Sequence, residues 1–352
     1  MDKNNRLFIL SQVPQPLLDW YCKNARTLPW RENTDPYRVW VSEIMLQQTR
    51  VAAVIPYFLR FIEQLPTIEA LANAPEEQLL KLWEGLGYYS RARNLQKAAK
   101  IICSQYSGVF PERYEDILSL PGVGPYTAGA VASISFGQPT PAVDGNVLRV
   151  VSRLLEWDAD LTGTAEKKQV SELLAAIYPE GQCGAFTQAL MELGAVICIP
   201  NTAPKCMACP LQQICGAFEF GTQAVFPVTV QKKPRKKEEK TVFLLRCKNK
   251  IALHRRQPGG LLGGLWEFPN TEEHLDPIAA KVWLAGQGLS VQTLTEGTPK
   301  KHIFTHIEWH MRCYCAECEN ENSDFVWVTE QTLLEEFSLP TAFRKFMGEI
   351  GL

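Results

Sequence analysis

The sequence predicts two unlike parts: a mainly α-helical N-terminal region closed by a cysteine-rich loop, and a smaller α+β domain behind it. Three observations carry this expectation. From about residue 14 to residue 178, apolar residues recur at helical spacing with few β-branched alternations. Four cysteines then follow within eighteen residues, Cys198, Cys206, Cys209 and Cys215, in the pattern C-x7-C-x2-C-x5-C. Beyond the lysine-rich run Gln231–Thr241 the pattern changes to short strand-like segments.

The elements can be read in order. Asp35-Pro36 is an N-cap followed by proline at the first helical position, opening a helix that runs towards Pro56. Glu76 to Cys103 reads as two helices broken at Gly85-Leu86-Gly87. Val242–Leu245 and Lys250–His254 read as strands, Ile278–Gly286 as a helix and Phe325–Val328 as a further strand. The boundaries expected are 1–221 for the helical region, 222–240 for a basic linker and 241–352 for the α+β domain. A solvated tether is the preferred reading of the linker, and a phosphate-contacting tether the alternative.

Length and composition bound the function. The 352 residues have room for two or so domains, and 46% hydrophobic with 21% charged residues fits a soluble globular protein. No apolar run approaches a membrane span. The opening Met1–Arg6 carries no export signal, and an odd eleven cysteines suit a reducing cytoplasm. A formal net charge of −2 does not by itself suggest DNA. A nucleic-acid binder with this balance must gather its positive charge into patches.

Several segments carry chemistry. Four thiolates on a short loop can enclose one inorganic centre, and Pro210 after Cys209 is common beside iron–sulfur ligands. Structural zinc is the competing reading, but zinc usually draws on two C-x2-C pairs and only one is present. Leu120-Pro-Gly-Val-Gly-Pro-Tyr-Thr joins two helices through Gly122 and Gly124, which permit a tight turn and close backbone approach. Backbone N–H groups at the start of the following helix, near Thr127, can hold a phosphate in the helix-hairpin-helix manner. Asp144 precedes Gly145 and the next helix, where an ordinary N-cap is the plain alternative to a functional acid. Glu43 lies among Val39, Ile44 and Met45, where desolvation would keep it protonated. A buried ion pair with Arg31 is the alternative for that residue.

Together, the hairpin, the aspartate at this offset and the downstream cysteines resemble the endonuclease III-like DNA glycosylase superfamily over residues 14–220. Trp40–Thr49 and Glu84–Asn94 make the likeness strongest to the MutY-type adenine DNA glycosylases. The resemblance implies excision of adenine mispaired with 8-oxoguanine or guanine in double-stranded DNA, after the base is flipped out of the duplex. It implies one [4Fe–4S] cluster. The related lyases carry a lysine at the position of Tyr126, which cannot form a Schiff base, so this chain is expected to leave the backbone uncut. Cleaving the N-glycosidic bond needs one acid and one carboxylate. Glu43 is assigned as the acid, and Asp144, in a polar turn, as the ionised stabiliser of the oxocarbenium ion, with Tyr126 and Asn146 in support. The resemblance places Arg26, Leu28, Trp30, Arg31, Val51, Gln182 and Gln188 around the extruded adenine. It places Leu46, Gln48 and Tyr88 at the gap left in the duplex, and Lys205 suggests a phosphate contact.

The C-terminal domain resembles the MutT-like recognition domain of the same family. Leu261–Pro269 looks like the opening of a nudix motif, but the acidic helix needed to hold magnesium is missing, so binding without hydrolysis is expected. Phe304-Thr305-His306 stands where the family has a Phe-Ser-His loop that senses 8-oxoguanine, and threonine keeps the hydroxyl. The first cysteine gap is x7 where the family usually has x6. Cys313, Cys315 and Cys318 are read as ordinary thiols. The expectation is a cytoplasmic, nucleoid-associated monomer of bacterial type with no membrane association. A glycosylase/lyase and a non-enzymatic cluster-bearing DNA sensor are the rivals.

Overall fold

The structure, a computed structural model, describes residues 1–161, 163–228 and 234–352. Two compact units emerge: Met1–Asn73 with Arg93–Gln231, and Ala74–Ala92 with Lys232–Leu352. The short segment 74–92, expected within the helical region, therefore packs with the C-terminal domain.

The first unit is built from helices α1 (Lys3–Ser11), α2 (Pro14–Asn24), α3 (Pro36–Leu46), α4 (Val51–Gln64) and α5 (Ile68–Asn73). After α6 (Glu76–Leu82), which belongs to the second unit, come α7 (Ser90–Gln105), α8 (Tyr114–Ser119), α9 (Pro125–Phe136) and α10 (Gly145–Leu155). The unit closes with α11 (Thr164–Ala175), α12 (Cys183–Val196) and the short α13 (Gly216–Glu219). Asp35 caps α3 as expected, accepting from the Arg38 N–H at 2.9 Å. The helix does not continue to Pro56, however. It ends at Leu46, Gln48 takes a left-handed φ of 58°, and α4 begins at Val51 with Pro56 inside it. The break at Gln47–Arg50 turns one expected helix into two and leaves Gln48 exposed.

Helix α9 packs against α3, α8 and α12, and α10 packs against α12. Ala128, Ala130, Val131 and Ala132 are buried in α9. Between α8 and α9, Gly122 has φ 77°, and a Cβ there would lie 2.6 Å from the Asn94 Cβ. Both strain and contact require glycine at this turn. Gly194 of α12 plays a similar part, since a Cβ on it would come within 2.6 Å of the Asn146 Cβ. Its bare backbone lets the start of α10 approach α12 closely. A core of Val147, Val151, Leu154, Leu174, Phe186 and Leu193 fixes these helices.

Among the described residues, the second unit holds an eight-stranded mixed sheet. Its strands are β1 (Lys236–Cys247), β2 (Lys250–Arg255), β3 (Trp266–Glu267), β4 (Asn270–Thr271), β5 (Val291–Glu296), β6 (Lys300–Ile303), β7 (Ile307–Cys318) and β8 (Val326–Thr329). The central pair β1 and β7 is parallel, from Lys236 opposite Ile307 to Arg246 opposite Glu317. The linker expected over 222–240 must be shortened accordingly. Its residues 229–233 lie outside the described residues, and Lys236–Lys240 already belong to β1. The charges do not prevent pairing because alternate residues find partners. Lys240 is only 1% exposed, bonds Glu272 at 3.4 Å and lies 4.6 Å from the centre of the Trp309 ring. One sheet face packs Val242, Leu244, Leu253 and Trp309 against Phe343 and Phe346. The other packs Phe243, Leu245 and Tyr314 against helix α14 (Pro277–Gly286). Two short helices, α15 (Glu330–Glu335) and α16 (Thr341–Arg344), complete the unit.

Segment 74–92 is tied to this domain by polar contacts. The Lys81 ammonium donates to the Phe337 carbonyl at 2.9 Å, Ser338 Oγ to the Leu80 carbonyl at 3.1 Å, and the Leu339 N–H to Glu84 at 2.8 Å. Tyr88, 47% exposed and at φ 47°, shares a 2.6 Å hydrogen bond with Thr305.

Candidate active site

A cavity of about 160 Å³ opens in the first unit between α3, α9, α10 and α12, and both expected acids line it. Glu43 reaches it from the buried face of α3 and is 5% exposed. Tyr126, the second residue of α9, donates its hydroxyl to Glu43 Oε2 at 2.5 Å. Burial drives the Glu43 carboxyl up to about 7; the Tyr126 bond opposes the rise, and the Asp144 charge adds to it. With Oε2 accepting from tyrosine, Oε1 is left to carry a proton.

Asp144 caps α10, accepting from the Val147 N–H at 2.8 Å and from Asn146 Nδ2 at 2.7 Å. The N-cap and a place in the cavity are therefore one position, not alternatives. The polar turn expected from Gly145 and Asn146 is more enclosed than the sequence suggested. Burial raises the Asp144 carboxyl above its ordinary value, opposed by its hydrogen bonds and by Arg149. Arg149 joins the support: its Nη2 donates to Asn146 Oδ1 at 2.9 Å and its Nε to the Cys198 carbonyl at 2.7 Å. A continuous polar chain thus runs from Asp144 to the first cysteine of the loop.

Arg26, Leu28, Trp30, Arg31, Val51, Gln188, Leu46 and Asn146 also line the cavity. Gln182 does not. It is exposed immediately before α12, while Gln188 lies further along the same helix and faces inward. The ion pair considered for Glu43 and Arg31 is replaced by another. Arg31 and Arg26 both bind Glu192, at 2.9 Å and 2.5 Å. Sequence reasoning missed this residue, which is 0% exposed. Burial alone would raise Glu192, but the two guanidinium groups outweigh it and hold the carboxylate below its usual range. Its only sequence signal is its place one helical turn after Gln188 on α12. Met191, Ser42 and Thr49 are further lining residues that the sequence did not single out. Truncating Glu192 to alanine would strand two cations. A broken buried pair costs about 3–5 kcal/mol, and the low end applies because the Arg26 side chain is 38% exposed. Urea melts of Glu192→Ala should show this loss, and a melt like that of the parent would refute it.

The remaining expected residues fall elsewhere. Gly122 and Gly124 form the turn before α9, with open space at the Gly124 Cβ position. The Thr127 side chain is 1% exposed and accepts from Gln47 Nε2 at 3.3 Å, so only its backbone N–H suits an anion. Phe304 packs edge-on against His302 and Trp309, leaving Thr305 and His306 exposed.

Cys198, Cys209 and Cys215 pack against the core beside α10 and α12, and Lys205 is exposed just before Cys206. The Cys209 thiol is pushed up to about 12 by burial and by the charges of Cys198, Cys215 and Cys206. Arg153 Nη1 approaches Cys198 Sγ at 3.4 Å. Four thiols on one short loop, with the Arg153 guanidinium beside Cys198, suit the donor set of an inorganic centre. Among the described residues, none forms a three-donor group closed around a single metal ion. Cys313 and Cys315 both pack on one sheet face, and no disulfide joins any of the eleven cysteines.

The helical unit with its glycine hairpin and paired acids defines a base-excision repair protein. Residues 41–180 match the HhH-GPD superfamily of base excision DNA repair proteins, and residues 241–349 match the NUDIX domain family. The fold is similar to that of a thermostable thymine-DNA glycosylase, with TM-score 0.53 and 30% identity over 62% of this chain and 98% of that one. A non-covalent endonuclease III–DNA complex gives TM-score 0.51 and 25% identity over 61% and 98%.

Relatives matched over most of both chains narrow the class. The adenine DNA glycosylase of Buchnera aphidicola subsp. Baizongia pistaciae is 36% identical over 297 residues, 83% of this chain and 82% of that protein. The adenine DNA glycosylase of Homo sapiens is 33% identical over 403 residues, 95% of this chain and 73% of that protein. The chain belongs to the adenine DNA glycosylase family. Among the described residues no helix is long and apolar enough to cross a membrane.

Proposed function

We propose that this enzyme hydrolyses the N-glycosidic bond of adenine paired with 8-oxoguanine, and with guanine, in duplex DNA, acting as a monomer without cutting the backbone. One observation carries the reading: a buried Glu43, its carboxyl raised to about 7 by burial, shares a cavity with Asp144. The adenine enters the cavity between Leu28, Trp30 and Val51. Glu43 gives its proton to adenine N7 as the C1′–N9 bond breaks and the electron pair leaves with the base. Asp144 faces the sugar, where its negative charge stabilises the oxocarbenium ion until water adds to C1′ and yields its proton to the Glu43 carboxylate, which restores the acid. Asn146 and Arg149 hold Asp144 in place, and Tyr126 orients Glu43. Tyr126 offers no amine for a Schiff base, which supports hydrolysis over lyase chemistry.

The loop thiols Cys198, Cys206, Cys209 and Cys215 would hold one [4Fe–4S] cluster. When bound, that group ties the loop together and fixes the backbone that Arg149 grips. Lys205, the Gly122–Gly124 turn and the N–H groups opening α9 would meet DNA phosphates. The proposed division of labour puts excision in the helical unit and reading of the opposite base in the C-terminal domain. There Thr305 and His306 are exposed beside a Phe304 anchored on Trp309. On the helical unit, the exposed Gln48 would fill the space left by the flipped base.

Duplexes carrying adenine opposite 8-oxoguanine, guanine or thymine test this directly. Strand scission only after alkali, fastest opposite 8-oxoguanine, is expected; scission without alkali would make the enzyme a lyase.

The pH profile adds a second test. Glu43 acts only when protonated, so single-turnover rates should fall as pH rises through about 7. The Tyr126 bond lowers the Glu43 value, so Tyr126→Phe should move that limb to higher pH. A parent enzyme with no falling limb near pH 7 would remove Glu43 as the acid, and a limb unmoved in Tyr126→Phe would remove the tuning by Tyr126.

A further inference from the structure

A second cavity, about 490 Å³, lies beside the first in the helical unit. The two share a wall of Arg26, Leu28, Arg31, Ile134 and Gln188, while none of Glu43, Tyr126, Asp144 or Asn146 reaches the second. Its separate lining includes Tyr21, Ala25 and Ala185. Arg26 and Arg31 are held on Glu192, whereas among the described residues the Gln188 side chain bonds the Tyr21 hydroxyl, which donates to its Oε1 at 2.6 Å. A glutamine side chain changes rotamer far faster than backbone moves.

We infer that the second cavity is a site for the released neutral purine base and its way out. The inference rests on the base-pocket reading of the first cavity. The scissile bond must lie at the acid end, so the purine ring extends towards the shared wall. Before cleavage the sugar tethers the ring. Once the bond is broken, nothing covalent holds it, and rotation of Gln188 joins the two spaces. The second cavity then offers apolar surface at Leu28, Ile134 and Ala185 for the ring, and amide, hydroxyl and guanidinium groups for its edge. This matches the make-up of a small-molecule site, mostly apolar with a few placed polar groups. A base could leave by this route while the abasic strand still covers the cavity's other side.

The test uses the full-length enzyme bound to a duplex containing a stable abasic-site analogue opposite 8-oxoguanine. Free 2-aminopurine, a fluorescent isomer of adenine, is mixed with this preformed complex, and its uptake is followed by quenching. Uptake is expected in the parent protein. Ala185→Phe and Ala25→Trp, which fill the second cavity only, should slow uptake by about tenfold or more while single-turnover excision from DNA is unchanged. Ala25 is exposed, so its replacement keeps the test open if Ala185→Phe misfolds. No uptake by the parent complex, or equal uptake by the folded variants, overturns the inference. Slowed excision in the variants also overturns it, because the cavity would then be part of the base pocket. Absence of adenine excision by the parent enzyme would instead sink the reading on which the inference rests.

Discussion

Glu43→Gln will lose adenine excision while keeping duplex affinity. Positioned proton transfer contributes about 10²–10⁴-fold, and a fall of that size or larger in the single-turnover rate constant is expected. The replacement is nearly isosteric, and its amide oxygen can still accept from Tyr126, so the cavity keeps its shape. What disappears is the proton. Adenine leaves poorly as an anion, and no other described carboxylic acid lining the cavity is free of a competing duty: Glu192 is held ionised by Arg26 and Arg31, and Asp144 faces the sugar in the proposed mechanism. The residual rate of Glu43→Gln should also lose its decline near pH 7, since the titrating group is gone. Gel assays of excision and filter-binding measurements on the same duplex separate chemistry from affinity. An unchanged rate would mean that Glu43 is a buried structural acid.

Glu43 stood out in the sequence because a glutamate among Val39, Ile44 and Met45 contradicts its surroundings, and a contradiction of that kind is a signal. Asp144 was visible for a different reason: it is an acid before Gly145 at a helix start, and the structure puts it both at the cap of α10 and in the cavity lining. Glu192 left no comparable trace. It follows Met191 and precedes Leu193 in an ordinary helical run, and only the fold brings Arg26 and Arg31 to it from well over a hundred residues away. Long-range ion pairs of this sort have no local pattern.

The sheet shows the same limit. Gln231–Lys240 has the composition of a solvated tether, yet Lys236–Lys240 form a central strand. The pairing energy comes from β7, distant in sequence, and the buried Lys240 is reconciled by Trp309 and Glu272. The break after Leu46 has no local signal, because Gln47 and Gln48 are sound helix formers, yet Gln48 takes a left-handed backbone. Segment 74–92 likewise reads as part of the helical text. Its attachment to the C-terminal domain depends on Lys81, Leu80 and Glu84 meeting the backbone and side chains of 337–339.

Asp144→Asn should lower the single-turnover rate about 10²–10³-fold, the usual cost of removing one electrostatic partner of a transition state. Stability should barely change, because asparagine caps helices as well as aspartate does and can still accept from the Val147 N–H. The chemical consequence comes from the other side-chain atom. Asp144 Oδ2 now accepts from Asn146 Nδ2. An asparagine amide placed there would set two donors against each other. Turning the Asn146 amide relieves that, but it takes Oδ1 away from Arg149 Nη2. Arg149 would keep its Nε bond to the Cys198 carbonyl, so the loop is expected to stay anchored while the active-site end of the chain is rearranged. Charge loss and mispositioning therefore act together on the sugar and leave the fold intact. A melt shifted as severely as the rate would instead identify Asp144 as a cap alone. Normal excision by Asp144→Asn would leave the oxocarbenium ion without its proposed counter-charge and require another group to face the sugar.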